Sequence, residues 1–447
     1  MKRFVIEQSD EEFYTSHSGI SLVGLALNRF TSIPSGLAKI VPTDDVISHA
    51  DVIKSFCGLL AQAKSDFVAI EQYRGDDFFR ESLGNKQVPS EGTMRQRMDE
   101  HAEAFLPALS WASVELLQKV KAPITPIETG HVSVDIDGFA MDNSDSKKEK
   151  CSRTYRNFDG FLFLPAYIGT EGWMVNGHLL PGSQHPQKEF TCFLRETHAR
   201  IRQNCGKKLL YRQDSAHDSL DNRVELAGYA KTDYIIKWNP RQQNEAYWWR
   251  KGLECGIVTE PRPGKRVALF SVQEKETITD DQGAKKTYTF RRVMRVTERT
   301  IDKKGQPLLI PDIELEGWWT SLKLDDEKII ELYKGHGLCE QYHAEIKTDM
   351  DLERLPSGKF ATNQLVMACG ALVYNILRFV GQTALVGSKG IIRHEAKRRR
   401  IKTVIQEMIY FAGRMIATGR RLKLRFSRHA SAHAEVFARM YDLLAYG

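Results

Sequence analysis

The spacing of apolar positions divides the chain into stretches of different kinds. Up to about residue 121 they recur at helical intervals, in Val52, Ile53, Phe56, Leu59 and Leu60 and again in Phe105, Leu109, Ala112 and Leu116, which predicts a mainly helical region. Between these runs, Phe78-Phe79-Arg80, the turn signal Gly84-Asn85 and the segment Val88-Pro89-Ser90-Glu91-Gly92-Thr93 predict a helix, a turn and a second helix capped by Ser90 or Thr93. The first turn of that helix presents Arg95 and Arg97, as a recognition helix presents cations to DNA; an ordinary helical hairpin with exposed arginines has the same pattern.

From Pro123 the period changes to two. In His131 to Gly138, Val132, Val134 and Ile136 share one face and Ser133, Asp135 and Asp137 the other, so two carboxylates point the same way near a strand end. Residues 160–167 and 173–180 predict two further strands, joined by Gly169-Thr170-Glu171-Gly172 as a hairpin. A helix at 190–201, a strand at 208–214, a helix at 220–230 and a strand at 234–238 follow. The fold class expected is α/β, with a mixed sheet in the order of a ribonuclease-H-like core. Residues 239–325 break the rhythm with strand-like runs at 267–272, 287–296 and 318–322, separated by polar loops such as Asp280 to Lys286, and read as a β-rich insertion. A helix over 333–347, an apolar helix over 364–385 and a basic tail complete the chain. The expected regions are 1–121 as a helical N-terminal DNA-binding region, 122–240 with 326–390 as the catalytic core, 241–325 as the insertion, and 391–447 as a basic helical C-terminal region.

Composition narrows this picture. A net charge of +7 over 447 residues leans towards polyanionic partners, and its distribution matters more than its size. Lys397, Arg398, Arg399, Arg400, Lys402, Arg414, Arg420, Arg421, Lys423, Arg425 and Arg428 face only Glu395 and Glu407, while Val404, Ile405, Met408, Ile409 and Phe411 supply an apolar side. A solvated face normally mixes signs, so this single-sign stretch favours phosphate contact. The seven cysteines include no Cys-x-x-Cys pair, which excludes a structural zinc motif and fits reduced thiols in the cytoplasm. Glu7, Asp10, Glu11 and Glu12 leave no apolar stretch for a signal peptide, and Asn375, Arg378 and Gln382 interrupt the apolar run at 365–386, so a buried helix is expected there and no membrane partner.

Three acidic positions carry candidate chemistry: Asp137, with Asp135 beside it, at the end of the first strand; Asp214 at the end of the fourth; and Glu340 on the later helix. Adjacent central strands would join the two aspartates, and the helix could supply the third ligand. Carboxylates without His or Cys partners suit Mg²⁺ or Mn²⁺. Two such ions about 3.5–4 Å apart activate an attacking oxygen and stabilise a leaving one in phosphodiester transfer. On the helix, Tyr333, His336, Glu340 and Lys347 are spaced by three, four and seven and so share a face, whereas Glu345 lies five positions from Glu340 and faces elsewhere.

This spacing resembles the signature of bacterial insertion-sequence DDE transposases: Tyr, two residues, Arg, three residues, Glu, six residues, Lys. Tyr333, His336, Glu340 and Lys347 meet it, with His336 where the family has arginine. Asp137-Gly138 resembles the first-aspartate motif, with Phe139 where threonine is usual, and Arg212-Gln213-Asp214-Ser215 resembles the second. Leu355-Pro356-Ser357, Phe360, Asn363 and the arginine-rich tail are most similar to the insertion-sequence family numbered thirteen-eighty. The resemblance covers nearly the whole chain. It implies Asp137, Asp214 and Glu340 as holders of two Mg²⁺ (or Mn²⁺) ions, and Tyr333, His336 and Lys347 as contacts to the DNA backbone at terminal inverted repeats. It also implies a homodimer on double-stranded DNA that cuts the element ends and joins their 3′-hydroxyls to target DNA, with Trp318 or Trp319, and less so Trp248 or Trp249, stacking on a flipped base. Packing of these tryptophans into the core is the alternative. A catalytically silent DNA-binding protein and a host metal-dependent nuclease are the competing functions.

Overall fold

The computed structural model describes residues 14–279, 285–302, 304–387, 390–392, 394–419 and 421–447. The acidic N-terminal positions up to Glu12, the loop residues 280–284 and Arg420 lie outside the described residues. The chain is mixed α/β, with one large mixed sheet and many helices, and it divides into two compact units.

The first unit comprises residues 1–123, 140–161 and 344–447. Its N-terminal part holds α1 (Ile20–Phe30), α2 (Ile33–Ile40), α3 (His49–Leu60), α4 (Asp77–Leu83) and α5 (Glu91–Lys119). The predicted helix-turn-helix signals are the ones used: Gly84 ends α4 in the left-handed conformation at φ 63°, and the Ser90 hydroxyl accepts from the Thr93 N–H to cap α5. Helix α5 then runs for 29 residues, much longer than a recognition helix needs, because its face through Phe105, Leu109, Ala112 and Leu116 is buried. Phe360–Ala384 is long and apolar enough to span a membrane, and 83% of its apolar window is buried within the protein. There the Asn375 amide donates to the Ser113 hydroxyl at 2.9 Å, a core polar pair rather than a lipid-facing one. Of the expected basic helical region, residues 401–409 and Ser431–Tyr446 are helical, while Arg414–Thr418 and Arg421–Arg425 form an antiparallel hairpin instead. Polar–apolar alternation from Arg421 and Gly419 at φ 56° favour that turn over a continued helix.

The second unit, residues 124–139 and 162–343, carries most of the sheet. Its strands, labelled in chain order, are β1 (Val132–Ile136), β2 (Asp159–Ile168, in this unit from Leu162), β3 (Trp173–Pro181), β4 (Leu209–Gln213), β5 (Thr232–Lys237), β6 (Ile257–Arg262), β7 (Lys265–Thr279), β8 (Lys285–Ile301) and β9 (Pro307–Thr320). The order is β2-β1-β4-β5-β9-β8-β7-β6, with β3 pairing β2. β1, β4 and β5 run parallel, with Phe190–Asn204 and Leu220–Ala227 as the intervening helices, while β2 is antiparallel to β1. Every residue of β1 and β4 is buried, as parallel central strands require. The insertion-like stretch adds a helix, Glu245–Cys255, and strands of 15, 17 and 14 residues, longer than the runs visible in the sequence. It continues the core sheet, because Trp318, Trp319 and Thr320 of β9 pair with Lys237, Ile236 and Ile235 of β5. Leu210, Ile235, Val293, Trp318 and Leu322 pack with Ile329, Ile330 and Leu332 of the helix Asp326–Lys334, which fixes where that helix ends.

Candidate active site

The parallel register of β1 and β4 sets Asp135 beside Arg212 and Ile136 beside Gln213, so Asp137 and Asp214 follow at neighbouring ends of adjacent strands. The Asp214 carboxylate accepts from the Ala216 N–H at 3.1 Å and starts a single 3₁₀ turn, Ser215–His217, that stops the strand there. Asp137 is the more enclosed: its side chain is 24% exposed against 39% for Asp214. Burial, then the negative charge of Asp214 and, more weakly, that of Glu340 push the Asp137 carboxyl up to about 6. Glu340 itself is exposed, on the short helix Leu338–Ala344. The three carboxylates therefore share one electrostatic neighbourhood, although they are not among the groups gathered within 4.8 Å of one another.

This shift has a stability consequence. Between the ordinary carboxylate range and about pH 6 the folded protein holds a proton at Asp137 that the unfolded chain has released, so stability falls as pH rises through that window. Denaturant unfolding without divalent metal should show wild type losing up to about 3 kcal/mol more than Asp137→Asn between pH 4 and pH 7.

A buried ion-pair clamp sits behind the acidic pair. Arg212 donates through Nε and Nη2 to the two Asp135 oxygens, both at 2.7 Å, and through Nη1 to the Leu332 carbonyl at 2.9 Å. His336 Nδ1 lies 2.9 Å from Asp135 Oδ1. Burial alone would raise the Asp135 carboxyl, but the Arg212 charge and the bonds from His336 and Arg212 outweigh it and hold it low. Asp135, His336 and Cys339 bring their ligand atoms within 4.8 Å, yet Asp135 is saturated by the guanidinium and burial holds the Cys339 thiol protonated, so this cluster is an internal clamp rather than a metal site. His336, expected at the DNA backbone, is thus buried and turned inward, where it ties the helical segment to β1.

The helix expected over 333–347 is broken into Asp326–Lys334, a 3₁₀ turn Gly335–Gly337, Leu338–Ala344 and a π-turn Glu345–Asp349. Gly335 is required, since a Cβ there would collide with the Arg212 guanidinium. Tyr333 is pushed well above its usual range by burial and by Asp214 and Asp137, so its hydroxyl stays protonated beside the acidic pair. Two histidines beside the aspartates escaped the sequence reading. His217 stacks on Phe190 with centroids 4.0 Å apart, lies 3.7 Å from Asp214, and is pushed down to about 4 by burial, hence neutral. His343 Nδ1 lies 4.0 Å from Asp137 Oδ2 and its ring faces Phe139 at 4.5 Å. The spacing of Asp214 to His217 was the only available signal, and it resembles any strand-to-turn exit.

Trp318 and Trp319 are buried on opposite faces of β9, at 2% and 3% exposure. Lys237 covers the first ring at 4.1 Å and Arg223 the second at 4.1 Å, which is the packed alternative rather than an open stacking platform. Trp248 and Trp249 are buried as well.

Several basic residues expected at DNA are engaged within the first unit. Arg95 pairs with Glu91 at 2.7 Å, and Arg97 with Asp45. Arg398 pairs with Glu345, and Arg400 with Asp349, each at 2.7 Å. Arg399 donates to the carbonyls of Leu385, Ile392 and His394. The run of arginines is single-sign in sequence only, because its counter-charges come from about fifty residues away. Lys347 reaches Glu353 at 2.7 Å and the Ala140 carbonyl at 3.1 Å. The Leu355-Pro356-Ser357 turn is closed by Asn363, which accepts from the Ser357 N–H and donates to its carbonyl.

A family model described as "Transposase DDE domain group 1" matches residues 12–446. No curated protein sequence matches the chain. Among solved structures it is similar to a piggyBac transposase in a cryo-EM synaptic complex with hairpin DNA, at 11% identity and a TM-score of 0.43, over 97% of this chain and 82% of that one.

Proposed function

From the premise that the chain belongs to the group 1 DDE transposase domain family, we propose that it binds the terminal inverted repeats of an insertion sequence, cuts the DNA there, and joins the freed 3′-hydroxyl ends to target DNA. The observation that carries this reading is the register of β1 and β4, which sets Asp137 beside Asp214 with the charge of Glu340 felt at Asp137. On this reading the mixed sheet is a ribonuclease-H-like core, the enzyme acts as a homodimer in a bacterial cytoplasm, and its relatives are insertion sequences of the family numbered thirteen-eighty.

The donor set fits divalent metal. Asp137, Asp214 and Glu340 offer only hard carboxylate oxygens, and the mutual repulsion that raises Asp137 is relieved by a cation, which suits Mg²⁺ or Mn²⁺. Such ions, when bound, supply charge neutralisation at the attacking and leaving oxygens of phosphodiester transfer. The chain's own residues hold the rest in place. The Asp135–Arg212–His336 clamp fixes the strand ends and the helical segment that bears Glu340. The Tyr333 hydroxyl, kept protonated, donates to a backbone phosphate oxygen, and Lys347 supplies a charge to the same strand by the family spacing. Asp137 must be ionised to act, so cleavage should fall as pH drops below about 6.

The deciding experiment incubates purified protein and Mg²⁺ with DNA carrying the element's terminal repeats and with scrambled DNA. Cleavage confined to the repeats and abolished by chelator is expected. Binding without cleavage would favour the silent DNA-binding protein, and cutting indifferent to the repeats would favour the nuclease.

A further inference from the structure

Many arginines of this chain pair with its own carboxylates, among them Arg212 with Asp135, Arg223 with Asp218, Arg266 with Glu298, Arg378 with Glu345 and Arg400 with Asp349. The hairpin Arg414–Thr418 with Arg421–Arg425 gathers several basic residues on one short element. Arg421, Lys423 and Arg425 are exposed, and among the described residues none has an acidic side chain within 4 Å. In register, Arg414 stands opposite Arg425 and Thr418 opposite Arg421. The hairpin is a separate two-stranded sheet, and among the described residues no further strand pairs with it.

The ribbon is also held firmly at its base. Thr15 and Gly413 exchange two backbone hydrogen bonds of 2.9 Å, and a Cβ at Gly413 would press on the Ser18 hydroxyl and Leu424. Phe426, directly after the second strand, stacks on Phe411 at 4.6 Å and meets Phe437 edge-on at 5.0 Å. Met415, Leu422 and Leu424 line a cavity together with Phe437 and Tyr441, and Lys423, Glu81 and Asp442 stand at the same cavity.

We propose that the face of this hairpin bearing Arg421, Lys423 and Arg425 is a binding surface for the phosphate backbone of duplex DNA, separate from the acidic site and indifferent to sequence. Alternate residues of an antiparallel strand are about 6.8 Å apart. Each nucleotide rises about 3.4 Å along the axis but turns about 36° around it, which puts neighbouring phosphates of one strand about 7 Å apart in space, so three cations in this order meet three successive phosphates. A two-stranded ribbon also has the width that a DNA major groove admits, which lets the flanking phosphates be reached from within it. Between the cations stand Leu422 and Leu424, which carry no hydrogen-bonding group, and with its three cations on phosphate the surface positions the duplex rather than reads it. The choice of DNA as the polyanion rests on the proposed function.

The test measures binding of the full-length protein to a random-sequence duplex over a series of salt concentrations. For Arg421→Gln/Lys423→Gln/Arg425→Gln the slope of log affinity against log salt should fall by about 2.7, with affinity about 100-fold weaker or more at 0.1 M salt. Arg421→Lys/Arg425→Lys should restore the wild-type slope, and Lys423→Gln alone should lower it by about 0.9, which separates lost charge from lost fold. An unchanged slope in the triple variant, or equal losses in the charge-preserving one, overturns the proposal. So does a wild-type protein that binds anionic vesicles or duplex RNA through these residues as tightly as DNA. Asp214→Asn should keep the full slope; if wild type cuts nothing while the hairpin slope persists, the catalytic reading fails and the surface stands.

Discussion

Asp214→Asn protein is expected to lose DNA cleavage by about a thousandfold or more while its affinity for the element ends stays within about twofold. The replacement is nearly isosteric. Its amide oxygen can still accept from the Ala216 N–H, so the 3₁₀ turn that ends β4 and places His217 survives. What disappears is one negative charge at the end of the strand adjoining Asp137. An amide is a poor ligand for Mg²⁺ compared with a carboxylate, so the loss falls on metal-assisted chemistry rather than on docking. A second readout accompanies it: with the Asp214 charge gone, the Asp137 carboxyl should titrate below its wild-type value of about 6, because part of what raises it is that neighbour. Cleavage within tenfold of wild type, at unchanged metal concentration, would remove Asp214 from the catalytic set.

Much of this site was legible because a strand repeats every two residues. Val132, Val134 and Ile136 against Ser133, Asp135 and Asp137 identify both the strand and the carboxylates that leave it on one side. Division of labour within that side was not legible. Asp135 and Asp137 are equivalent by period, and only the partner strand distinguishes them, by setting Arg212 against the first and Asp214 beyond the second. His336 illustrates the same limit from the other direction. Its spacing from Tyr333 and Glu340 matches a DNA-facing row, but the glycine before it lets Arg212 approach so closely that the imidazole turns in to Asp135.

The tail departs from its sequence pattern for a related reason. Counting Lys and Arg along 397–428 measures charge before any pairing, and Glu345 and Asp349, which take up Arg398 and Arg400, lie outside that window. The alternation of Arg421, Leu422, Lys423, Leu424 and Arg425 was in plain view as a strand signal, but five residues of period two were outweighed by the composition around them. Likewise Trp318 and Trp319, adjacent in sequence, take opposite faces of β9 and are each covered by a cation from a distant element, which no local pattern announces.

The choice between Glu340 and Glu345 now becomes an experiment on stability as much as on activity. Glu345→Gln should destabilise the protein by about 3–5 kcal/mol, whereas Glu340→Gln should leave stability within about 0.5 kcal/mol and remove cleavage. Glu345 is 1% exposed and is the shared acceptor of a buried network: Arg378 bonds to it, Arg398 Nη1 reaches its two oxygens at 2.7 and 2.8 Å, and the Ile401 N–H donates at 3.3 Å. Removing its charge leaves two guanidinium groups, Arg378 fully buried and Arg398 mostly so, without their shared counter-ion. Among the described residues Glu340 has no such partners to lose; it is exposed, and its charge is felt by Asp137 as repulsion. Neutralising it should even ease the Asp137 carboxyl downward. Thermal or denaturant unfolding of the two variants, beside a cleavage assay at a temperature where both are folded, separates the roles. A stable Glu345→Gln protein that fails to cut, paired with a Glu340→Gln protein that cuts normally, would transfer the third carboxylate from one residue to the other.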